Sequence, residues 1–330
     1  MIRLFAAVSF ALALAACDGP RSNVDDDQWE AVSVEVIPVD AGAVSVGRLA
    51  YRGGLELRSR NPMFVGLSGI EMLDSGRVVA ISDEADWIEA QLGFDDRGYL
   101  TGFNDVRAAF MRDERGRVLQ TKYEADSEGL AQLPDGRFAV SFERTHLIRI
   151  YDLNRDGPFG VAELGPRLEG SERLPANASF EALAAFDNAV ITGAEGGETP
   201  TTPVWVAPLG ARTPVPSRST YPLSDGFSLT GMDRMPDGSF VALERFYAPV
   251  IGPRARITRF EAPSQDGGDI HPEVLASLEP PFPLDNFEGI SAVRTPEGAT
   301  RIYIVSDNNK SAQQRTLLLA FDLIETPAAD

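Results

Sequence analysis

Ser127-Glu128-Gly129-Leu130-Ala131-Gln132-Leu133-Pro134-Asp135-Gly136-Arg137-Phe138-Ala139-Val140-Ser141-Phe142-Glu143-Arg144 is the stretch that decides the fold. A small residue and an apolar residue, Gly129-Leu130, open a short strand. Pro134-Asp135-Gly136 makes a turn, because proline presets φ and glycine accepts positive φ. Arg137 to Phe142 returns as a second strand and ends on an acid, Glu143. The same unit starts again at Gly69, Ala182, Gly231 and Gly289, so the five starts are 60, 53, 49 and 58 residues apart. Periods of this size built from strands predict a radial array of small sheets, a β-propeller.

A third strand follows most hairpins, as in Leu147-Ile148-Arg149-Ile150-Tyr151 and Leu317-Leu318-Leu319-Ala320-Phe321. Strand-like segments at 32–39 and 44–57 precede Gly69 without a hairpin unit of their own. They are expected to pair with the C-terminal strands and close the ring, removing exposed edges. Residues 105–112 could form a short helix. The expectation is an all-β fold, one propeller of five or six blades with six preferred, over residues 31–325.

The repeat also fixes the positions of acids. In a regular hairpin, residues equidistant from the turn face each other. On that rule Glu128 faces Glu143, Glu181 faces Glu195, Glu288 faces Asp307, Ser68 faces Asp83, and Thr230 lies near Glu244. The first strand of a blade lines the central channel. Glu128, Glu181 and Glu288 then converge at one mouth, with Asp83, Glu143, Glu195, Glu244 and Asp307 just outside. Carboxylates so crowded must protonate, pair with bases or bind a cation. An oxygen-only set suits Ca²⁺, with Mg²⁺ or Mn²⁺ as the other candidates. A plainer reading has the acids cap strand ends and pair with the arginines that follow them, Arg144 and Arg245.

Composition narrows the function. The chain has 330 residues, 43% of them hydrophobic, enough for a substantial core. The net charge of −19 argues against nucleic acid, whose phosphates need a basic surface, and against electrostatic attachment to anionic lipid. With two histidines, His146 and His271, a His-based zinc site is disfavoured. No G-x-S-x-G elbow, P-loop or dinucleotide fingerprint is present.

Residues 1–16 read as a targeting segment: Arg3, then an apolar run from Leu4 to Ala13. Leu14-Ala15-Ala16-Cys17 matches a bacterial lipobox, and Cys17 is the single cysteine. This predicts lipidation at Cys17, a flexible acidic tether over 17–30, and a lipid-anchored, periplasm-facing place in the cell envelope. Residues 326–330 read as a loose tail. A monomer is expected.

Several of these stretches together resemble the phytase-like propeller family named for "esterase-like activity of phytase". They are Gly69-Ile70 with Ile81-Ser82-Asp83, the quoted Ser127–Arg144 stretch, Asn286-Phe287-Glu288-Gly289-Ile290, Val305-Ser306-Asp307-Asn308-Asn309, and Gln314-Arg315-Thr316. The resemblance runs from about Gly53 to Leu323. It implies an envelope or secreted propeller that hydrolyses phosphoesters or carboxylic esters. It also points to calcium-dependent phytases, in which bound Ca²⁺ holds phosphate and activates water. In the reading drawn from the blade geometry, Glu128, Glu181 and Glu288 would bind one or more divalent ions, with Asp83, Glu143 and Asp307 as partners. Glu128, Glu288, Arg144 and Arg245 would be the catalytic groups. The chain has two lysines, Lys122 and Lys310, few for a highly anionic substrate. The other reading is a noncatalytic envelope module that binds a ligand or partner protein, with any ion structural.

Overall fold

Five sheets, each built on an antiparallel hairpin, follow one another along the chain in a computed structural model, and a separate short parallel pair joins Leu168–Glu169 to Val215–Pro216. The structure describes residues 28–197, 199–224, 226–264 and 267–324. Each of the five sheets carries one of the repeats as its inner hairpin. The inner hairpins pair Leu67–Met72 with Arg77–Ser82, Ser127–Gln132 with Phe138–Phe142, and Phe180–Phe186 with Ala189–Ala194. The last two pair Phe227–Arg234 with Phe240–Ala248 and Asn286–Arg294 with Thr300–Asp307. We number the blades one to five in that order. Neighbouring first strands lie against one another in sequence, and that of blade five lies against that of blade one.

The preference for six blades is corrected to five. The N-terminal segment lacks a hairpin unit, so it builds no sheet of its own. Leu49–Arg58 instead pairs with Thr316–Leu323, and Glu35–Pro38 pairs with Leu49–Arg58. These strands form the outer part of blade five because Leu49, Leu55 and Leu57 are buried there. Residues 105–112 are not helical: they largely continue the strand Leu100–Phe110, whose side chains Phe103, Val106 and Ala108 are buried. Lys122–Ala125 is a single helical turn leading into blade two.

The apolar core lies between blades. Leu130, Phe138, Val140 and Phe142 of blade two pack with Val79, Ile81 and Trp87 of blade one, and comparable clusters fill the other gaps. Trp87 stands edge-on to Tyr151, with ring centroids 5.2 Å apart. Among the described residues no helix is long and apolar enough to cross a membrane. The lipobox, Cys17, the first part of the tether and the C-terminal tail lie outside the described residues.

Candidate functional site

One irregularity recurs in every blade and aims the acids. The inner hairpin slips register between Leu67 and Gly69, Phe180 and Ala182, Leu229 and Gly231, and Phe287 and Gly289. In blade two it slips opposite Ser141. Each slip is a β-bulge, an extra residue that breaks the alternation and redirects a side chain. The extra residues are Ser68, Glu128, Glu181, Thr230 and Glu288. The direct facing of Glu128 with Glu143, and of the other pairs, therefore does not occur. Asn286, not Glu288, pairs with Asp307.

The small residue that follows each bulge has a packing reason. A Cβ on Gly129 would stand 2.8 Å from the Glu181 carbonyl oxygen, and one on Gly231 would stand 2.6 Å from that of Glu288. The bulge carbonyls of Ser68, Glu128, Glu181 and Glu288 thus sit against the backbone of the neighbouring blade. Hydroxyls tie the blades at the same level: Ser68 Oγ donates to Ser127 O at 2.7 Å, and Ser141 Oγ to Phe180 O at 2.6 Å.

Counting from the bulge also corrects the fourth repeat. Ser82, Phe142, Ala194 and Ser306 each pair just before the bulge, and Asp83, Glu143, Glu195 and Asp307 come next. In blade four the paired residue is Glu244, so the equivalent position is Arg245. Glu244 is buried away from the mouth, accepting from Tyr221 Oη at 2.8 Å and Arg256 Nη1 at 3.1 Å. Arg245 reaches into the acids, with Nη2 3.1 Å from Glu195 Oε1 and Nη1 3.1 Å from Glu288 Oε1. Asn286 Nδ2 also donates to Glu288, at 2.6 Å.

The second blade holds the densest group. Asp126, Glu128 and Glu143 each bring a carboxylate oxygen within 4.8 Å of the others. The Glu143 N–H bonds the Asp126 carbonyl at 2.8 Å, which fixes the two side chains at the same height. Asp126 was not apparent from the repeat, because its equivalents are Gly66, Ser179, Ser228 and Asn286. The one hint was local: Lys122 lies four residues before it, the spacing of an ion pair on a helical turn. Lys122 Nζ indeed pairs with Asp126, and with Asp83 Oδ2 at 2.8 Å. Arg144 Nε takes the other Asp126 oxygen at 2.6 Å.

The sequence-derived candidates Asp83, Glu128, Glu143, Glu181, Glu288, Asp307, Arg144 and Arg245 all lie in this mouth. With Asp126 and Glu195, eight carboxylates face Lys122, Arg144 and Arg245. Their crowding shows in their protonation. Burial, then Asp126, Glu288, Glu181 and Glu143, push Glu128 well above the carboxylate range. Burial and then Glu195 do the same to Glu181, and burial with Glu288 and Asp83 to Asp307. Burial and Asp126 raise Glu143 to about 8. Glu288 rises to about 7, burial outweighing the opposing pull of Arg245. Burial works against the charge of Lys122, but Asp83, Asp126 and Glu128 outweigh it and raise its pKa.

The donor set fits a hard divalent cation: it is all oxygen, and Asp83 Oδ1 is buried with no hydrogen-bond partner. A serine hydrolase fits less well. His146 Nδ1 lies 2.8 Å from Ser179 Oγ, but Ser179 is completely buried, so an ester carbonyl has no approach.

A family model described as "Phytase-like: Esterase-like activity of phytase" matches residues 62–310. No curated protein matches the chain. Among solved structures, it is similar to the PQQ-bound aldose sugar dehydrogenase of Streptomyces coelicolor. That match is 15% identical over 88% of this chain and 98% of the other, with a TM-score of 0.39. It is also similar to the α-L-arabinofuranosidase of Podospora anserina in complex with cellotriose, 12% identical over 86% and 98%, with a TM-score of 0.47. At these identities the likenesses bear on neither substrate nor chemistry.

Proposed function

The chain belongs to the phytase-like family, and from that premise we propose that it is a divalent-metal-dependent hydrolase of ester or phosphoester bonds. The observation that carries this reading is the Asp126–Glu128–Glu143 cluster, with ligand oxygens within 4.8 Å of one another at the channel mouth. Glu181 and Glu288 stand beside it, with Asp83 and Asp307 behind, and Ca²⁺ is the ion this donor set suits best. When bound, such an ion lowers the pKa of water and polarises an acyl or phosphoryl oxygen.

The protein's own groups supply the rest. Burial and Asp126 raise Glu143 to about 8 in the metal-free protein, so filling the site would displace a proton from it. Arg144 and Arg245 are fixed by carboxylates and present N–H groups to an oxygen that gains charge. With eight carboxylates against three cations, an ester of low negative charge suits the mouth better than a polyphosphate.

The lipobox supports anchoring through Cys17 in the bacterial envelope, facing the periplasm, with residues 17–30 as tether. The pairing of Leu49–Arg58 with Thr316–Leu323 supports reading blade five as the latch of the ring. Replacing Cys17 by Ser should move the protein from the membrane to the soluble fraction.

The central test is calorimetric titration of the detergent-solubilised chain with Ca²⁺, with hydrolysis of chromogenic esters and phosphoesters followed before and after chelation. Stoichiometric binding and metal-dependent turnover, both reduced in Glu128→Gln and Glu288→Gln, are expected. Unchanged affinity and turnover in both variants would overturn the assignment. Ligand binding that survives chelation without turnover would mark a noncatalytic module instead.

A further inference from the structure

A second buried acid pair lies along the same channel, away from the mouth. Glu71 is on the first strand of blade one, three residues past the bulge residue Ser68. Asp233 and Ser291 are on the equivalent strands of blades four and five. All three are buried. Ser291 Oγ is 3.3 Å from Glu71 Oε2 and 3.2 Å from Asp233 Oδ2, and it accepts the Met72 N–H at 3.0 Å. Glu71 Oε1 accepts the Gln132 N–H of blade two at 2.7 Å. Asp233 accepts two backbone N–H groups, from Ala292 at 2.7 Å and Arg234 at 2.6 Å. Four of the five channel-lining strands therefore meet at one polar knot.

The hydrogens decide its charge. A serine hydroxyl has one proton to donate and two lone pairs to accept with. Ser291 can therefore donate to one carboxyl group only, and its second contact must come from a carboxyl that itself carries a proton. Asp233, with two backbone donors, is the better carboxylate. We propose that Glu71 is a carboxylic acid in the folded protein. Its Oε2–H donates to Ser291 Oγ, whose proton goes to Asp233 Oδ2, so a single proton locks blades one, two, four and five together.

In this arrangement every donor and acceptor of the knot is satisfied. Asp233 is the titratable group that faces Glu71; burial raises it to about 7 against the pull of the Ala292 and Arg234 N–H groups, so it carries its charge above that pH. Blade two offers only the Gln132 N–H, and blade five the Ser291 hydroxyl and the Ala292 N–H. Burial and the Asp233 charge hold Glu71 well above the carboxylate range, consistent with this assignment. The folded state thus binds a proton that the unfolded chain releases near the ordinary glutamate value. The stabilisation is complete below that value and is lost as pH rises toward the folded pKa. Losing the proton sets two carboxylates on one serine across three blades, so alkaline pH loosens this part of the channel.

Glu71→Gln is the test, because its amide oxygen still accepts from Gln132 and its –NH₂ still donates to Ser291. Stability is measured by denaturant unfolding from pH 5 to 9. The wild-type unfolding constant should rise faster with pH than that of the variant, by about tenfold per pH unit in the window that Glu71 controls. Parallel profiles, or a variant less stable by the same factor at every pH, would overturn the proposal. Carbon-13 NMR of glutamate-labelled protein reads the wild type directly. The Glu71 carboxyl should keep its protonated shift at pH 7, and titration near the ordinary glutamate value would refute the assignment. Should Glu71→Gln not fold, the resonance is identified by its displacement in Ser291→Ala.

Discussion

Two groups of buried acids share one channel, and their surroundings set them apart. At the knot, Glu71 and Asp233 receive N–H groups from Gln132, Ala292 and Arg234 and share Ser291. One proton completes that arrangement. At the mouth, eight carboxylates meet three cations, and Asp83 Oδ1 is buried without a partner. Protons shared between neighbouring carboxyl groups can neutralise the mouth in part, and a cation that its oxygens surround would do so without them. Buried acids that the backbone satisfies are architecture; the crowded group around Asp126, Glu128 and Glu143 is the one that could hold a cation.

The largest effect expected from this contrast is on metal affinity. Glu128→Gln removes a charged oxygen from the centre of the mouth and should weaken Ca²⁺ binding about a hundredfold, measured by calorimetry. Glu71→Gln should leave it unchanged. Equal losses in the two variants would dissolve the distinction between the regions. Rising pH should sharpen it. Metal requires deprotonated ligands, and Glu143 and Glu288 are raised to about 8 and about 7. Affinity should therefore climb from pH 6 to 8 and level off above. Stability without metal should run the other way. These acids bind protons more tightly folded than unfolded, so their contribution is complete below the ordinary glutamate pKa and is lost as pH rises through 7 to 8.

A smaller change should come from Lys122. Its ammonium pairs with Asp83 and Asp126, so it competes for the oxygens an ion would use. Lys122→Met should tighten Ca²⁺ binding by about tenfold, while lowering the melting temperature of the metal-free protein. The same titration checks this, and weaker binding in the variant would mean that Lys122 assists the ion.

Much of the fold could be read from the sequence because its cause is periodic. The Pro134-Asp135-Gly136 turn and its counterparts set the hairpins, and the spacing set their number. The N-terminal strands misled on blade count, since a strand that fills out another sheet looks in sequence like the start of a new one. The convergence of Glu128, Glu181 and Glu288 was legible, because inner strands of a ring bring equivalent positions together. Their manner of facing was not. A bulge adds one residue without any residue type announcing it, and that shift put Arg245 where an acid was expected. Asp126 stayed hidden because it belongs to one blade and not to the repeat. The knot had a different cause: Glu71, Asp233 and Ser291 stand at one position of the repeat, two residues past Gly69, Gly231 and Gly289, but the other two repeats carry Ala131 and Ala184 there, so no shared residue type marked the position.

The smallest expected effect decides how local the mouth is. Lys310 is the other lysine, and it pairs with Glu84 at the surface, its side chain 44% exposed. Pairs of this kind contribute about 0.5 kcal/mol or less, and salt screens them over roughly 10 Å at 0.1 M. Lys310→Met should therefore leave both melting temperature and Ca²⁺ affinity nearly unchanged at that ionic strength. It removes the same unit charge as Lys122→Met, so the two variants alter the net charge of the protein equally. A tenfold gain in affinity from Lys310→Met would show that the ion responds to the overall charge of −19 and not to a seat at Asp126. A gain confined to Lys122→Met would establish that the cation and the lysine contend for the same oxygens.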